Sequence, residues 1–372
     1  MEIHLSLKIT PKNRHMYILA FETSCDDTSI AIFKDDRLLV METASQIKIH
    51  WVTNGVVPEV AAREHANVIF DVLQKVLDEA KITLYDINYI AVTTNPWLIP
   101  SLLTWVTVAS TLSESLQIPI IPIHHIEAHI FSNFLERKQE EIRFPLVCLT
   151  VSWGHTEIYH MTHMWDFKKV WGTIDDSAGE AYDKVAKMMG LGYPGWPVIS
   201  KLAAAYMENP ELNLGWQNKG VKKQLFPRVW LDKKELDFSF SGLKTSVKYE
   251  IEKRQKKEEK IENGQVSLSE NDKTEIAYEF QNAVNEVLAY KLFLAWEKYE
   301  VETLMLAGWV SANEDLKNKI EVFSKNSGKK FFSPVKKIYS MDNAAMVWIL
   351  AYYRIKYGQY THYIWTLDLT DF

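Results

Sequence analysis

Glycine is scarce in this chain. It accounts for 14 of 372 residues, about 4% where roughly 7% is usual. Few positions can therefore take φ > 0 without steric cost. Cysteine is nearly absent, with only Cys25 and Cys148. That excludes a disulfide framework and makes a reducing, cytoplasmic setting the expectation. No apolar run reaches the length of a membrane span. The opening residues MEIHLSLKITPKNRH lack the long apolar core of a signal peptide. There is no strong excess of one charge: the net value is −6. A nucleic-acid partner would need a local basic surface or help from another protein.

Tryptophan is abundant instead, at 13 residues. Glycine and tryptophan together make up about the share that glycine usually holds alone. Hydrophobic residues form 47% and charged residues 24%, an ordinary balance for a soluble globular protein with room for two domains.

Strand and helix patterns alternate along the chain. Residues 17–33 read as two short β runs around an acidic turn, a hairpin. The apolar spacing of Val60, Val68, Ile69, Val72, Leu73, Val76 and Leu77 predicts a helix over 60–80. A strand at 88–94 enters the turn Asn95-Pro96-Trp97, and a helix follows over 101–116. Residues 118–124 form a short strand ending at His124-His125. A second hairpin at 146–161 echoes the first. The charged stretch 252–275 reads as a solvated helix end and linker. Residues 275–299 are helical, and 303–307 form a strand entering Gly308-Trp309. A last helix opens at Asp342-Asn343. The alternation and the repeated hairpin predict a two-lobed α/β protein. Residues 1–15 precede the first strand-like run and read as a tail or a misplaced start.

Three places carry chemistry. His125 and His129 stand at i and i+4, which on a helix puts both imidazoles on one face, able to share a metal or simply to lie on a surface. Glu127 does not directly follow the first histidine, so the zinc-protease pattern is absent. The turns at 152–155 and 308–313 follow strands, and small residues there let backbone N–H groups approach a phosphate or an adenosine, although either could be a plain connection. The segment 175–197 places Asp175, Asp176, Glu180 and Asp183 at a helix start, where acids are favoured. It ends in a Gly/Pro turn that contains Trp196.

The ordered motifs ETSCDDT (22–28), VVPEVAAREH (56–65), HHIEAH (124–129), VSWGHT (151–156), DDSAGEAYDKVAKMMGLGYPGWP (175–197), DFSFSGLKTSV (237–247), GWVSAN (308–313) and MDNAAM (341–346) resemble the TsaD/Gcp family of tRNA adenosine threonylcarbamoyltransferases. The resemblance spans about residues 16 to 357. It implies the actin/Hsp70/sugar-kinase (ASKHA) fold, two lobes with a central nucleotide cleft, divided as 16–137 plus 343–372 and 138–342. It implies transfer of a threonylcarbamoyl group from threonylcarbamoyl-AMP to N6 of adenine 37, in tRNAs reading codons that begin with A. The implied metal is Fe(2+), with zinc or another divalent ion as alternatives, on His125, His129 and Asp342. The implied substrate positions are Thr150, Val151, Ser152, Trp153, Gly154, Asp183, Trp196 and Asn313. A TsaB-like paralogue and a TsaE-like ATPase are the implied partners, and Asp183 is expected on ribose hydroxyls.

The chain departs from the family in one direction. Trp97, Trp105, Trp153, Trp171, Trp196 and Trp309 stand where the resemblance implies glycine, and Trp348 where the family often has it. One explanation is that the source reads UGA as glycine while the sequence was translated with UGA as tryptophan. The other is a degenerate, non-catalytic scaffold whose cleft is blocked by indoles. Kinase and metalloprotease activities fit the motifs less well.

Overall fold

The structure is a computed structural model that describes residues 15–53, 55–208, 224–228, 237–256, 261, 262, 265, 266 and 268–360. Most of the tail 1–15, parts of the charged stretch 252–275, and residues 361–372 lie outside the described residues. The chain divides into two compact units. One comprises Met1–Gln46, Val57–Ala128 and Asp342–Phe372, the other Ile47–Val56 and His129–Met341.

The first unit is built on β1 (Tyr17–Glu22), β2 (Asp27–Lys34), β3 (Arg37–Ser45), β4 (Tyr89–Asn95) and β5 (Ile120–His124). The sheet order is β3-β2-β1-β4-β5. The first three strands run antiparallel as a meander, and β4 and β5 add in parallel to β1. From Ile18 onward β1 is buried at every position, as expected for a strand covered on both faces. Leu19 and Phe21 face a core shared with Ile69, Val72, Leu73 and Val76 of the helix Pro58–Ala80 and with Trp105 and Ala109 of the helix Ile99–Leu116. Phe33 of β2 stacks on Trp348 of the helix Ala344–Lys356.

The second unit repeats this plan. Its strands are β6 (Leu146–Val151), β7 (Thr156–Met161), β8 (Lys168–Gly172), β9 (Thr303–Ala307) and β10 (Lys330–Phe332), in the order β10-β9-β6-β7-β8. Again three strands form an antiparallel meander, and two add in parallel to its first member. The repetition read from two hairpins therefore extends to the whole sheet. The third strands, β3 and β8, are the members that the two hairpins did not include. The long helix Glu270–Tyr299 begins five residues before the expected 275 and is capped by Ser269, whose hydroxyl accepts the Asp272 N–H.

Candidate active site

β5 ends at His124 and the chain turns directly into the short helix His125–Phe131. The helical repeat places His129 one turn beyond His125, as the spacing predicts. Both imidazoles are buried. Asp342 precedes the last helix but does not cap it. Asn343 does, accepting the Met346 N–H, which leaves the Asp342 carboxylate for other work. One ligand atom from each of His125, His129 and Asp342 lies within 4.8 Å of the others. His125 Nε2 is 3.7 Å from Asp342 Oδ1. Two imidazoles and a carboxylate suit iron or zinc, so the residues fit a divalent metal. Glu127 points away to Arg354, 2.7 Å from its guanidinium, and is no ligand here. Burial raises its pKa, although Arg354 opposes the shift.

The other face of His125 meets two residues that the motif reading left without a role. Its Nδ1 is 3.1 Å from Ser24 Oγ and 3.4 Å from Glu22 Oε2. Burial lowers the His125 pKa, but the charges of Glu22 and Asp342 outweigh it and raise the net value. Glu22 is likewise pushed up by burial and pulled down further by His125. An acid closing the apolar run Tyr17–Phe21 was the sequence signal for this pair. Cys25 is buried, and burial, then the Asp26 charge, push its thiol well up. That disfavours a thiolate nucleophile.

In the second unit, Thr150 and Val151 close β6 with their side chains buried. Any ligand contact from them is through backbone. Ser152 and His155 close a turn on themselves: the Ser152 N–H donates to the His155 carbonyl at 2.8 Å, and the His155 N–H to Ser152 Oγ at 3.2 Å. Gly308, at φ 82°, lies so close that an added Cβ would stand 2.4 Å from the Val151 carbonyl oxygen. The two expected ligand loops thus rest on each other through a glycine.

The acids of 175–197 divide their duties. Asp175 accepts the Phe240 N–H at 2.8 Å and the Ser239 and Ser241 hydroxyls at 2.5 and 2.6 Å. Asp176 pairs with Lys184 at 2.8 Å and Lys244 at 2.5 Å. These two hold the 237–247 motif in place. Burial raises both pKa values, but the hydrogen bonds and, at Asp176, the lysines leave them lowered. Both Asp183 oxygens have partners: Trp153 Nε1 donates at 2.8 Å and the Gly195 N–H at 2.6 Å.

Asn313 caps the helix Glu314–Asn326 by accepting the Leu316 N–H. Its amide donates to Gln281 Oε1 at 3.0 Å, and its oxygen accepts from Asn285 at 3.3 Å. It lines a pocket of about 530 Å³ with Trp196, Ser200, Gln281, Lys319 and Lys337. That volume suits a nucleoside-sized ligand. Trp196 tilts against Trp309 with ring centroids 5.7 Å apart, and Lys337 Nζ sits 5.6 Å above its ring.

None of the seven tryptophans at glycine positions has φ > 0, so the backbone strain that a glycine site would impose is absent. The misfit is polar instead. The buried indole nitrogens of Trp105, Trp196, Trp309 and Trp348 have no hydrogen-bond partner. Each orphaned donor costs about 1–3 kcal/mol. Trp296, outside this set, donates to the Val301 carbonyl at 3.1 Å.

A doubled five-stranded sheet with a His/His/Asp group beside it defines an ASKHA-fold protein with a candidate metal centre. Component A of (R)-2-hydroxyglutaryl-CoA dehydratase from Acidaminococcus fermentans shares the fold, with a TM-score of 0.50 and 10% identity over 92% of this chain and 99% of that one. The family described as TsaD, tRNA N6-adenosine threonylcarbamoyltransferase, matches residues 37–348. A relative so named from Persephonella marina is 41% identical over 346 residues, 92% of this chain and 91% of the relative. Another from Staphylococcus aureus strain JH9 is 39% identical over 348 residues, 93% and 94% of the two chains. The chain belongs to the TsaD family of tRNA N6-adenosine threonylcarbamoyltransferases. It is a transferase of tRNA modification, acting in t6A synthesis. The scaffold alternative gains no support from any of these observations. Among the described residues no helix is long and apolar enough to cross a membrane.

Proposed function

We propose that the donor is threonylcarbamoyl-AMP and the acceptor is N6 of adenine 37 in tRNAs reading codons that begin with A. The convergence of His125, His129 and Asp342 carries this reading. The reaction forms the bond between N6 and the carbamoyl carbon and breaks that carbon's bond to the phosphate oxygen. N6 loses a proton and AMP leaves. Iron held by His125, His129 and Asp342, when bound, supplies a Lewis acid for oxygens that gain negative charge. The pocket beside Asn313 takes the adenosine of the donor, with Gln281 and Ser200 as further polar groups. Asp183 meets the ribose once the Trp153 indole leaves it. The 150–154 turn lies at the acyl phosphate in this reading, although the Ser152 N–H serves the His155 carbonyl. The lobes of this reading, 16–137 plus 343–372 and 138–342, follow the family motifs, whereas the compact units break after Ala128 and before Asp342 and give 47–56 to the second. A TsaB-like paralogue and a TsaE-like ATPase complete the system in the cytoplasm.

The test is formation of modified adenosine, read by nucleoside mass spectrometry. It uses the chain with both partner proteins, unmodified tRNA and threonylcarbamoyl-AMP. His125→Ala and Asp342→Ala are expected to lose bound metal and at least 100-fold of the activity. Full activity in either metal-free variant would overturn the assignment.

A further inference from the structure

Glu22 ends β1 with no exposure to solvent, and Ser24, Thr93 and His125 around it are almost as buried. A buried carboxylate needs compensation, and each of its oxygens has a defined partner. Oε1 accepts the Ser24 N–H at 2.8 Å. Oε2 accepts the Thr93 hydroxyl at 2.5 Å and stands 3.4 Å from His125 Nδ1. The opposite ring nitrogen, Nε2, faces Asp342. A neutral imidazole carries one proton. With that proton on Nδ1, directed at Glu22 and Ser24, the Nε2 lone pair is left for a metal. With it on Nε2, the histidine cannot be a ligand at that atom.

We propose that Glu22, held by Thr93 and the Ser24 amide, is the positioning residue that keeps the His125 proton on Nδ1 and aims Nε2 at the site shared with His129 and Asp342. The inference rests on the metal reading above and extends it to residues of β1 and β4. Partners of this kind fix ring orientation and raise ligand basicity, and losing one typically costs about 10–100-fold in metal affinity. A purely structural Glu22 would move stability and leave the affinity of the folded protein alone.

The experiment titrates the full chain with Co2+ alone, following its visible absorption, and checks the fold of each variant by circular dichroism. Glu22→Ala is expected to bind Co2+ about 10–100-fold more weakly. Glu22→Gln keeps an oxygen acceptor for Nδ1–H and is expected to recover most of that loss. A folded Glu22→Ala protein with parental affinity overturns the proposal. Should Glu22→Ala fail to fold, nitrogen-15 NMR of the Zn2+-loaded parent decides. A proton on His125 Nδ1 supports the proposal, and one on Nε2 overturns it. A parent that takes up no Co2+ removes the metal reading itself, and this inference with it.

Discussion

Asp27→Asn offers a direct reading of charge in the first unit. Asp27 begins β2, pairs across to Ser45 in β3, and has Oδ1 buried without a hydrogen-bond partner. Burial, then the neighbouring Asp26 charge, push its carboxyl from an ordinary 3.8 up to about 7. The folded state therefore binds this proton more tightly than the unfolded chain does. The stability that the neutral acid confers is fully present below pH 3.8 and is lost as pH rises through about 7. At about 1.4 kcal/mol per pH unit, the loss above pH 8 reaches about 4 kcal/mol. Partial solvent access makes that an upper figure. Asparagine has nearly the same shape and cannot ionise. Asp27→Asn should match the parent at pH 4, exceed it increasingly as pH rises from 4 to about 7, and hold a constant advantage above that. The difference should reach several degrees in Tm by pH 8.5. The assay is thermal unfolding of both proteins from pH 4 to 9 with a chelator present, so that no metal alters the local charge. Parallel curves over the whole range would refute the reasoning.

Three further outcomes are expected. Asn313→Ala removes a helix cap worth about 1 kcal/mol and two buried side-chain hydrogen bonds worth about 1 kcal/mol each. Its unfolding should weaken by about 3 kcal/mol without any ligand, and a change below about 1 kcal/mol in urea titration would contradict the geometry. Trp153→Gly removes the indole donor from Asp183 and should tighten AMP binding in calorimetry by roughly tenfold, whereas an unchanged Kd would show that the indole does not compete. If UGA is read as glycine in the source, mass spectrometry of native peptides spanning 150–160 and 190–200 should find glycine at 153 and 196. Tryptophan in those peptides, or UGG codons in the gene, ends that explanation.

Much of this protein was legible locally. The two hairpins, the helix over Pro58–Ala80 and the strand entering Gly308 follow from apolar periodicity and turn residues, which act over a few positions. The i, i+4 histidines were legible because helix geometry alone puts them on one face. Asp342 joined them only by resemblance to the family, since nothing near it in sequence points to His125. Glu22, Ser24 and Thr93 were not legible as a group, because Glu22 and Thr93 come from β1 and β4 and His125 opens the helix that follows β5. Asp175 and Asp176 read as acids favoured at a helix start, and the structure gives them to Ser239, Ser241, Lys184 and Lys244.

The excess of tryptophan shows the same division. Its count and its motif positions are properties of the sequence, and they raised the question of decoding. Only tertiary structure could show that four of these indoles bury a donor with no acceptor while Trp153 finds one in Asp183. A hydrogen bond is satisfied by whatever the fold brings within about 3 Å. For a buried side chain that neighbour comes from elsewhere in the chain, and local sequence cannot name it.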